Sequence, residues 1–244
     1  MKLKGKVALV TGGAKRIGRH LALTLASRGC HVAVTYNTSE REAARTVRDI
    51  RAKGVRGLAL QADQRRPGEV RQAVTELLAA FRRVDILINN ASSFYPTPLE
   101  EATEEQWEDL IQSNLTGPWR FAQALGPLMK RRKLGKIINI VDTAAFRPWT
   151  RYLPYCAAKG GLVTLTWGLA RALAPHVQVN GIAPGPVLFP SDISERDKQL
   201  ALDWSLLKRE GSPEDIAQAA LFFLEGTDFV TGVILPVDGG RSAC

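Results

Sequence analysis

The chain has 244 residues, of which 45% are hydrophobic and 23% are charged. This composition excludes a disordered or low-complexity chain, and a globular chain of this length buries a core without disulfides or metal ions. Lysine and arginine outnumber the acidic residues by 33 to 24, so the formal net charge is +9. A positive field of this kind suits anionic ligands such as phosphate-rich cofactors.

The sequence shows none of the signals of a membrane or secreted protein. No apolar run approaches the roughly 18 to 20 residues that a membrane span needs. The basic N-terminus is followed only by the apolar residues Val7–Val10, which are too few for a signal-peptide core. The cysteines (Cys30, Cys156 and Cys244) are far apart and form no Cys-x-x-Cys pair. We therefore predict a cytoplasmic protein with no membrane partner, no disulfide framework and no metal site.

Apolar segments of strand length alternate with amphipathic segments of helix length along the whole chain. Strands are predicted at Lys6–Thr11, His31–Tyr36, Arg56–Gln61, Asp85–Asn89, Lys136–Val141, Val177–Ile182 and Val233–Val237. Helices are predicted at Arg16–Arg28, Ser39–Lys53, Pro67–Phe81, Glu104–Arg132, Pro154–Ala174 and Pro213–Leu224, with kinks at Pro118 and Pro127. The alternation predicts one α/β domain over residues 1–244, a doubly wound parallel sheet of about seven strands with helices on both faces.

A glycine-rich turn lies between the first predicted strand and the first predicted helix. Gly12 and Gly18 allow the backbone to approach a pyrophosphate, and the start of the helix supplies N–H donors and a positive dipole. A tight turn without a ligand is the simpler reading of glycines alone. The position between a strand and a helix favours a dinucleotide site that includes Lys15, Arg16 and Ile17.

The end of the second predicted strand selects the nucleotide. NAD sites usually place an acidic residue there to hold the ribose hydroxyls. Here the chain reads Tyr36-Asn37-Thr38-Ser39, and Lys15 and Arg16 lie in the nearby loop. Hydroxyls, an amide and cations accept a 2′-phosphate that a carboxylate would repel. We therefore predict NADPH as the cofactor.

Asp63 lies two residues past the third predicted strand and is a candidate for binding the adenine edge, with Gln64 beside it. An aspartate at a strand end is often only a turn former. Tyr155 and Lys159 are four residues apart at the start of a helix, so both side chains lie on one face. A tyrosine is a weak acid with an ordinary pKa of about 10, and a nearby ammonium stabilises its phenolate. This spacing is common by itself and gains weight downstream of a nucleotide loop.

These motifs together resemble the short-chain dehydrogenase/reductase family over essentially the whole chain. The matching residues are Thr11-Gly12-x-x-x-x-x-Gly18, Asn89-Asn90-Ala91, Asn114, Tyr155-x-x-x-Lys159 and Pro184-Gly185. The resemblance implies a single Rossmann-type domain that assembles as a homotetramer. It also implies that Tyr155 gives a proton, that Lys159 lowers the pKa of Tyr155 and holds the nicotinamide ribose, and that Asn114 anchors a relay water. The resemblance further implies cofactor contacts at Asn90, Ala91, Ser92, Pro184, Gly185 and Val187.

Two positions depart from the usual pattern of that family. Arg16 stands where the family usually has glycine, and Asp142 stands where it usually has a catalytic serine, thirteen residues before Tyr155. An ionised carboxylate would repel the alkoxide that forms when a ketone is reduced. Reduction of a C=N bond instead requires a proton on nitrogen, which an Asp–Tyr pair can supply.

Both departures resemble the pteridine reductases, and so does the run of residues 89–99, Asn-Asn-Ala-Ser-Ser-Phe-Tyr-Pro-Thr-Pro-Leu. This resemblance implies NADPH-dependent reduction of oxidised or dihydro pterins, with folates as further substrates, to dihydro or tetrahydro forms. Tyr155 and Asp142 would deliver the proton. Phe94 would stack on the pterin, and Ser92 and Arg16 would contact the pterin and the cofactor phosphates. Without the resemblance, Phe94 would more simply be a loop anchor.

Other positions fit the family less well. Residues 186–189 follow Pro184-Gly185 where many relatives place a serine or threonine on the nicotinamide carboxamide, so backbone groups would take that role. Residues 191–207 correspond to the substrate loop of the fold, in which Trp204 would cover the pocket or simply pack.

Three alternatives stay open. An NADPH-dependent carbonyl or 3-oxoacyl reductase of the same family is the first, and Asp142 weighs against it. A non-catalytic nucleotide sensor is the second, although a sensor needs no Tyr155, Lys159 and Asn114. A nucleic-acid module is a distant third, based on the basic run at residues 130–133, which more simply closes a helix. We therefore predict no nucleic-acid partner.

Overall fold

One parallel sheet of seven strands organises the chain in a computed structural model that describes residues 1–189 and 193–243. The strands are β1 (Val7–Val10), β2 (His31–Tyr36), β3 (Gly57–Gln61), β4 (Ile86–Asn89), β5 (Gly135–Ile140), β6 (Val177–Pro184) and β7 (Ile234–Val237). Their order across the sheet is β3-β2-β1-β4-β5-β6-β7, and all neighbouring pairs are parallel. The predicted fold class is confirmed. The order reverses between β1 and β4, which is where such sheets form a ligand cleft.

Helices cover both faces of the sheet. They are α1 (Arg16–Ser27), α2 (Glu40–Arg51), α3 (Pro67–Phe81), α4 (Glu104–Ile111), α5 (Gly117–Arg131), α6 (Leu153–Leu173), α7 (Glu195–Asp203) and α8 (Pro213–Leu221). Alternate residues of β1 enter different cores: Ala8 and Val10 pack with α1, α2 and α8, while Val7 and Leu9 pack with α3, α5 and α6. Buried parallel strands therefore read as continuous apolar runs. No helix in the described ranges is both long enough and apolar enough to span a membrane.

Three predicted elements differ from the structure. The predicted helix Pro213–Leu224 ends as α8 at Leu221, and a π-helical turn follows at Phe222–Gly226. The predicted helix Glu104–Arg132 is split into α4 and α5 by a π-helical turn at Gln112–Thr116, and α5 then continues through Pro127. Pro118 has no N–H to donate to the carbonyl four residues back, so regular α-helical bonding is lost just before it. The predicted loop 191–207 contains α7, capped by the Ser194 side chain. Ser191 and Cys244 lie outside the described residues.

A buried carboxylate fixes the amino-terminal end of the sheet. Asp85, just before β4, is fully buried. One of its oxygens accepts from the backbone N–H of Val7 at 2.9 Å, and its two oxygens are 3.2 Å from Arg83 and Arg132. A buried charge of this kind stabilises the fold only while its partners are present.

We predict that Asp85→Ala lowers the free energy of unfolding by about 2 to 3 kcal/mol, because it leaves the buried Val7 N–H without its acceptor and removes the shared partner of Arg83 and Arg132. Urea unfolding followed by circular dichroism measures this. The matched control is Asp49→Ala, which removes the half-exposed Arg19–Asp49 pair on the surface and should cost less than about 1 kcal/mol. Equal losses in the two variants would contradict the structural role assigned to Asp85.

Candidate active site

A cleft of about 490 Å³ lies at the carboxyl ends of the strands. It is built from the segments that follow β1 to β6. Every residue predicted to bind cofactor or substrate lines it. Of the predicted catalytic set, Asp142, Tyr155 and Lys159 line the cleft, whereas Asn114 is fully buried behind it. The cleft also has lining residues that the sequence reading missed: Ala14, Thr35, Ala62, Arg65, Ser93, Ser113, Ile140 and Val141.

The glycine-rich loop is held tightly against its neighbours. The Gly12 N–H donates to the Thr35 hydroxyl at 3.1 Å, and the Asn90 amide donates to the Thr11 carbonyl at 2.9 Å. A Cβ placed on Gly18 would lie 2.3 Å from the Gly12 carbonyl oxygen, so only glycine fits there. The backbone at Gly18 therefore packs directly against the backbone at Gly12, at the start of α1.

The start of α1 is suited to bind an anion. Lys15 at the N-cap accepts no hydrogen bond through its side chain, and the first turn of α1 holds no acidic residue. The first N–H groups of a helix have no partner within that helix. They and the helix dipole face a cleft that is also lined by Lys15 and Arg16. These donors fit a pyrophosphate, and Tyr36–Ser39 line the same cleft without a carboxylate.

Two charged side chains of the cleft, Arg16 and Asp63, are bonded to other groups of the protein. The Arg16 guanidinium donates to the carbonyl of Leu188 and so links the glycine-rich loop to the segment after β6. The Asp63 carboxylate lies 2.5 Å from Arg65, which also pairs with Asp109. The hydrogen bonds from Arg65 hold the pKa of Asp63 below its ordinary value. Asp63 lines the cleft as predicted, but its carboxylate is already bound.

The catalytic candidates meet where β5 ends and α6 begins. The Tyr155 hydroxyl donates to one oxygen of Asp142 at 2.8 Å, and the Ala144 N–H donates to the other at 2.8 Å. The Lys159 ammonium donates to the Ile140 carbonyl at 2.9 Å and lies 5.6 Å from the centre of the Tyr155 ring. The predicted juxtaposition of Tyr155 and Lys159 on one helix face is therefore present.

Burial shifts the acidity of all three groups. It raises the pKa of Asp142, and it raises the pKa of Tyr155 together with the adjacent Asp142 charge. Burial lowers the pKa of Lys159 to about 8. The net shift of the Tyr155 pKa is upward, because burial and then the Asp142 charge disfavour a phenolate. That Lys159 lowers the pKa of Tyr155 stays a prediction.

Ser92 connects Asn114 to this cluster. Its hydroxyl donates to the Asn114 side-chain oxygen at 2.5 Å, and Ser92 also forms a hydrogen bond that lowers the pKa of Tyr155. The Asn114 amide donates to the carbonyls of Ser93 and Leu110, each at 2.9 Å. The π-helical turn at Gln112–Thr116 places Asn114 for these bonds. Ser92 therefore lies close to both Asn114 and Tyr155.

Aromatic rings form one wall beside Tyr155. Phe94 stacks on Tyr152, with ring centres 4.6 Å apart and planes 4° apart, and meets the edge of Tyr155 at 4.9 Å. Trp149 contacts both Phe94 and Tyr152 edge-to-face. Phe94 lines the cleft and is 42% exposed. The sequence reading found Phe94 but missed Tyr152 and Trp149, because no local pattern separates them from packing residues.

Comparisons with known proteins agree on the family. The family model described as short chain dehydrogenase matches residues 6–200. The 3-oxoacyl-[acyl-carrier-protein] reductase FabG of Staphylococcus epidermidis is 36% identical over 239 residues, which cover 96% of this chain and 98% of that protein. The 3-oxoacyl-[acyl-carrier-protein] reductase of Synechocystis is 36% identical and covers 98% and 97% of the two chains.

Solved structures show the same architecture. A blue fluorescent protein from a metagenomic library, in complex with NADPH, is 35% identical with a TM-score of 0.92 and covers 99% of both chains. A variant of a short-chain dehydrogenase/reductase from Serratia marcescens is 32% identical with a TM-score of 0.91, covering 99% of this chain and 100% of that chain. The similarity therefore extends over the whole domain.

We predict that Gly18→Ala weakens NADPH binding by about tenfold or more, because the added methyl group forces the loop away from its phosphate-binding shape. Titration of NADPH fluorescence gives the affinity. Gly68→Ala is the matched control, since a Cβ there would reach only the end of the Arg71 side chain at 4.0 Å. An unchanged affinity in Gly18→Ala would refute the phosphate-loop assignment.

We predict that the affinity for NADPH falls about tenfold as the pH rises through about 8, the pKa of Lys159. The ammonium is present below that pH and is lost above it, so a charge-assisted bond to the cofactor becomes a neutral one. The same fluorescence titration, repeated from pH 6 to pH 10, measures it. In Lys159→Arg the guanidinium stays charged, and its affinity should not change over this range. An identical decline in that variant would exclude Lys159 as the cause.

Proposed function

This chain belongs to the short-chain dehydrogenase family, and we propose that within it the protein is an NADPH-dependent pteridine reductase. The observation that carries the proposal is the 2.8 Å hydrogen bond from the Tyr155 hydroxyl to Asp142. In the usual family pattern a serine hydroxyl, a donor, occupies this position. Here the Asp142 carboxyl group occupies it and accepts a hydrogen bond from the tyrosine hydroxyl. The pair is therefore suited to pass a proton to a nitrogen atom.

The residues of the cleft support NADPH as the cofactor. The glycine-rich loop and the start of α1 would hold the pyrophosphate, and residues 36–39 with Lys15 would hold the 2′-phosphate. Lys159 would hold the nicotinamide ribose. NADPH, when bound, supplies the hydride. A structural relative is itself an NADPH complex, which supports this choice of nucleotide.

Tyr155 and Asp142 would provide the proton. Burial raises the pKa of Tyr155 and that of Asp142, which favours retention of a proton on the hydrogen-bonded pair. As the substrate carbon of a C=N bond accepts a hydride, its nitrogen takes the proton of the Tyr155 hydroxyl. The Asp142 carboxyl, when protonated, returns a proton to Tyr155. Buried carboxylic acids with raised pKa values serve as proton donors at neutral pH.

The aromatic wall supports a flat heterocyclic substrate. Phe94 is braced from behind by Tyr152, so its ring presents a fixed surface to the cleft. Stacking on such a surface is favourable for a planar ring system. A pterin also carries ring N–H and amino groups, for which the Asp142 oxygens are acceptors. Ser92 and Arg16 line the same cleft as further contacts for the pterin and the cofactor phosphates.

A second candidate is a 3-oxoacyl or other carbonyl reductase. The similarity to two 3-oxoacyl-[acyl-carrier-protein] reductases, each 36% identical over nearly the whole chain, favours it. Neither relative is named as a pteridine reductase, so the names of the relatives support this alternative better than the pteridine proposal. The argument against it is local: Asp142 is not the hydroxyl donor that would stabilise a developing alkoxide.

We predict that the protein oxidises NADPH, and NADH much more slowly, with dihydrobiopterin as substrate, and that Asp142→Ser lowers this rate by about 100-fold or more. Absorbance at 340 nm measures both. A 3-oxoacyl thioester, tested in parallel, should be reduced poorly by the wild type and better by Asp142→Ser, because a serine restores the donor.

The neutral isostere Asp142→Asn separates shape from acidity, and retained NADPH binding shows that each variant is folded. Pterin turnover that survives in both variants would contradict the role of Asp142. Reduction of the thioester but not of the pterin by the wild type would establish the second candidate instead.

The remaining expectations stay predictions. Assembly as a homotetramer is compatible with the exposed tryptophans Trp119 and Trp167, which lie on the adjacent helices α5 and α6. Exposed apolar side chains of this size often mark subunit contacts. A cytoplasmic location and the absence of nucleic-acid and membrane partners are not tested by the fold.

A further inference from the structure

Arg16 adopts a backbone conformation that residues other than glycine seldom take. Its φ is 53° although it is the first residue of α1, and Leu188, in the segment after β6, has the same φ of 53°. Arg82 and Lys133 also have positive φ, but both lie where a helix ends, which is a common place for this conformation. Arg16 and Leu188 do not end a helix, and a left-handed backbone is strained at both residues.

The two strained residues meet across the cleft. The Arg16 guanidinium donates a hydrogen bond to the Leu188 carbonyl, 172 positions further along the chain. Arg16 follows β1 and Leu188 follows β6, and the strands β4 and β5 lie between them in the sheet. Arg16 and Val187, the neighbour of Leu188, both line the cleft. The side chain therefore joins one wall of the cleft to the other, and we call this bridge from Arg16 to Leu188 the Arg16 strap.

Both ends of the Arg16 strap are fixed to the body of the protein. On one side, the Gly13 N–H donates to the Thr35 carbonyl at 3.1 Å and holds the glycine-rich loop to β2. On the other side, the Phe189 N–H donates to the Glu210 side chain at 3.2 Å. The strap therefore opens when its own hydrogen bond breaks or when the anchor at Glu210 is lost.

The Arg16 strap crosses the path of a dinucleotide. Tyr36–Ser39 follow β2, outside the strands that the strap spans, whereas Lys159 is bonded to the end of β5, inside them. A ligand that contacts both ends of the cleft therefore lies across the line of the strap. The N–H groups at the start of α1, which would hold its pyrophosphate, are next to Arg16 in the chain.

We propose that the Arg16 strap gates the exchange of the cofactor: it is closed in the structure, and NADPH enters and leaves when the hydrogen bond from Arg16 to Leu188 breaks. Opening lets both residues leave the left-handed region, so the released strain offsets part of the cost of breaking the bond. Closing segments of this kind limit ligand release in many enzymes. The inference rests on the proposed function in taking NADPH as the ligand, and it is independent of the substrate.

A gate and a phosphate contact change the two rate constants of binding differently. Removal of a gate raises both rates, whereas loss of a cation that attracts phosphate lowers the association rate and raises the dissociation rate. In Arg16→Met both rates should rise by about two- to tenfold, the equilibrium equivalent of one hydrogen bond. Stopped-flow energy transfer from the tryptophans to NADPH measures both rates.

Glu210→Ala opens the Arg16 strap without changing Arg16. It removes the acceptor of the Phe189 N–H and frees the carbonyl end of the strap, so both rates should again rise. Glu210→Gln is the matched control, because it loses the same charge but keeps an oxygen that accepts from Phe189, and its rates should stay near those of the wild type. Lys15→Met removes a neighbouring cation and should slow association while it speeds dissociation.

Hydrogen exchange tests the Arg16 strap without a ligand. The Gly211 N–H donates to the Pro186 carbonyl at 2.9 Å, and together with the Phe189 N–H it reports opening of the segment after β6. Both amides should exchange faster in Arg16→Met than in the wild type or in Lys15→Met, because the strap holds this segment in place. Mass spectrometry of the peptides that contain these amides measures the exchange.

Faster dissociation with slower association in Arg16→Met, together with unchanged rates in Glu210→Ala, would overturn the proposal and leave Arg16 as a phosphate contact. Unchanged exchange at Phe189 and Gly211 would overturn it as well. If Arg16→Met does not fold, Arg16→Gly replaces it, because glycine takes a positive φ without strain. A wild type that binds no NADPH refutes the proposed cofactor, and the exchange experiment then decides on the strap. A wild type that binds NADPH but reduces no pterin refutes the proposed substrate and leaves the strap intact.

Discussion

Parallel strand direction is the constraint on which the rest of this structure depends. Because all seven strands run the same way, the segments that leave β1 to β6 meet at one edge of the sheet. Residues as distant as Gly12, Asn90, Asp142 and Gly185 therefore line one cleft. The helices that return the chain supply the other requirement, an N-terminus at the same edge, where α1 offers N–H groups to a phosphate.

Within the cleft, the surroundings of position 142 change the acidity of the aspartate that stands there in place of the usual serine. An exposed aspartate beside a tyrosine would simply be ionised. Asp142 is half-buried, desolvation raises its pKa, and its hydrogen bond with Tyr155 couples the two protons. Lys159 responds in the opposite direction, because burial disfavours its ammonium form. The three groups consequently titrate as one coupled system whose behaviour depends on the charges placed around it.

The similarity of the whole chain supports a 3-oxoacyl reductase, whereas the side chains of the site support the proposed reduction of pterins. Identity of 36% over nearly the whole chain shows the family to which the chain belongs, but it does not identify the substrate. The proposed substrate class rests on a few side chains, Asp142 and Phe94 among them, that contribute little to such a score. A fold hosts many reactions, and function has to be argued from the site.

Local pattern by itself determined the parallel α/β fold, the glycine-rich loop, the nucleotide end at Tyr36–Ser39 and the Tyr155–Lys159 pair. Strand periodicity, glycine geometry and helical spacing are properties of neighbouring residues, so they can be recognised in the sequence alone. Only the tertiary structure decided that Tyr152 and Trp149 brace Phe94 beside Tyr155. This arrangement depends on packing between the segment after β4 and the segment before α6, and contacts between distant segments leave no pattern among neighbouring residues.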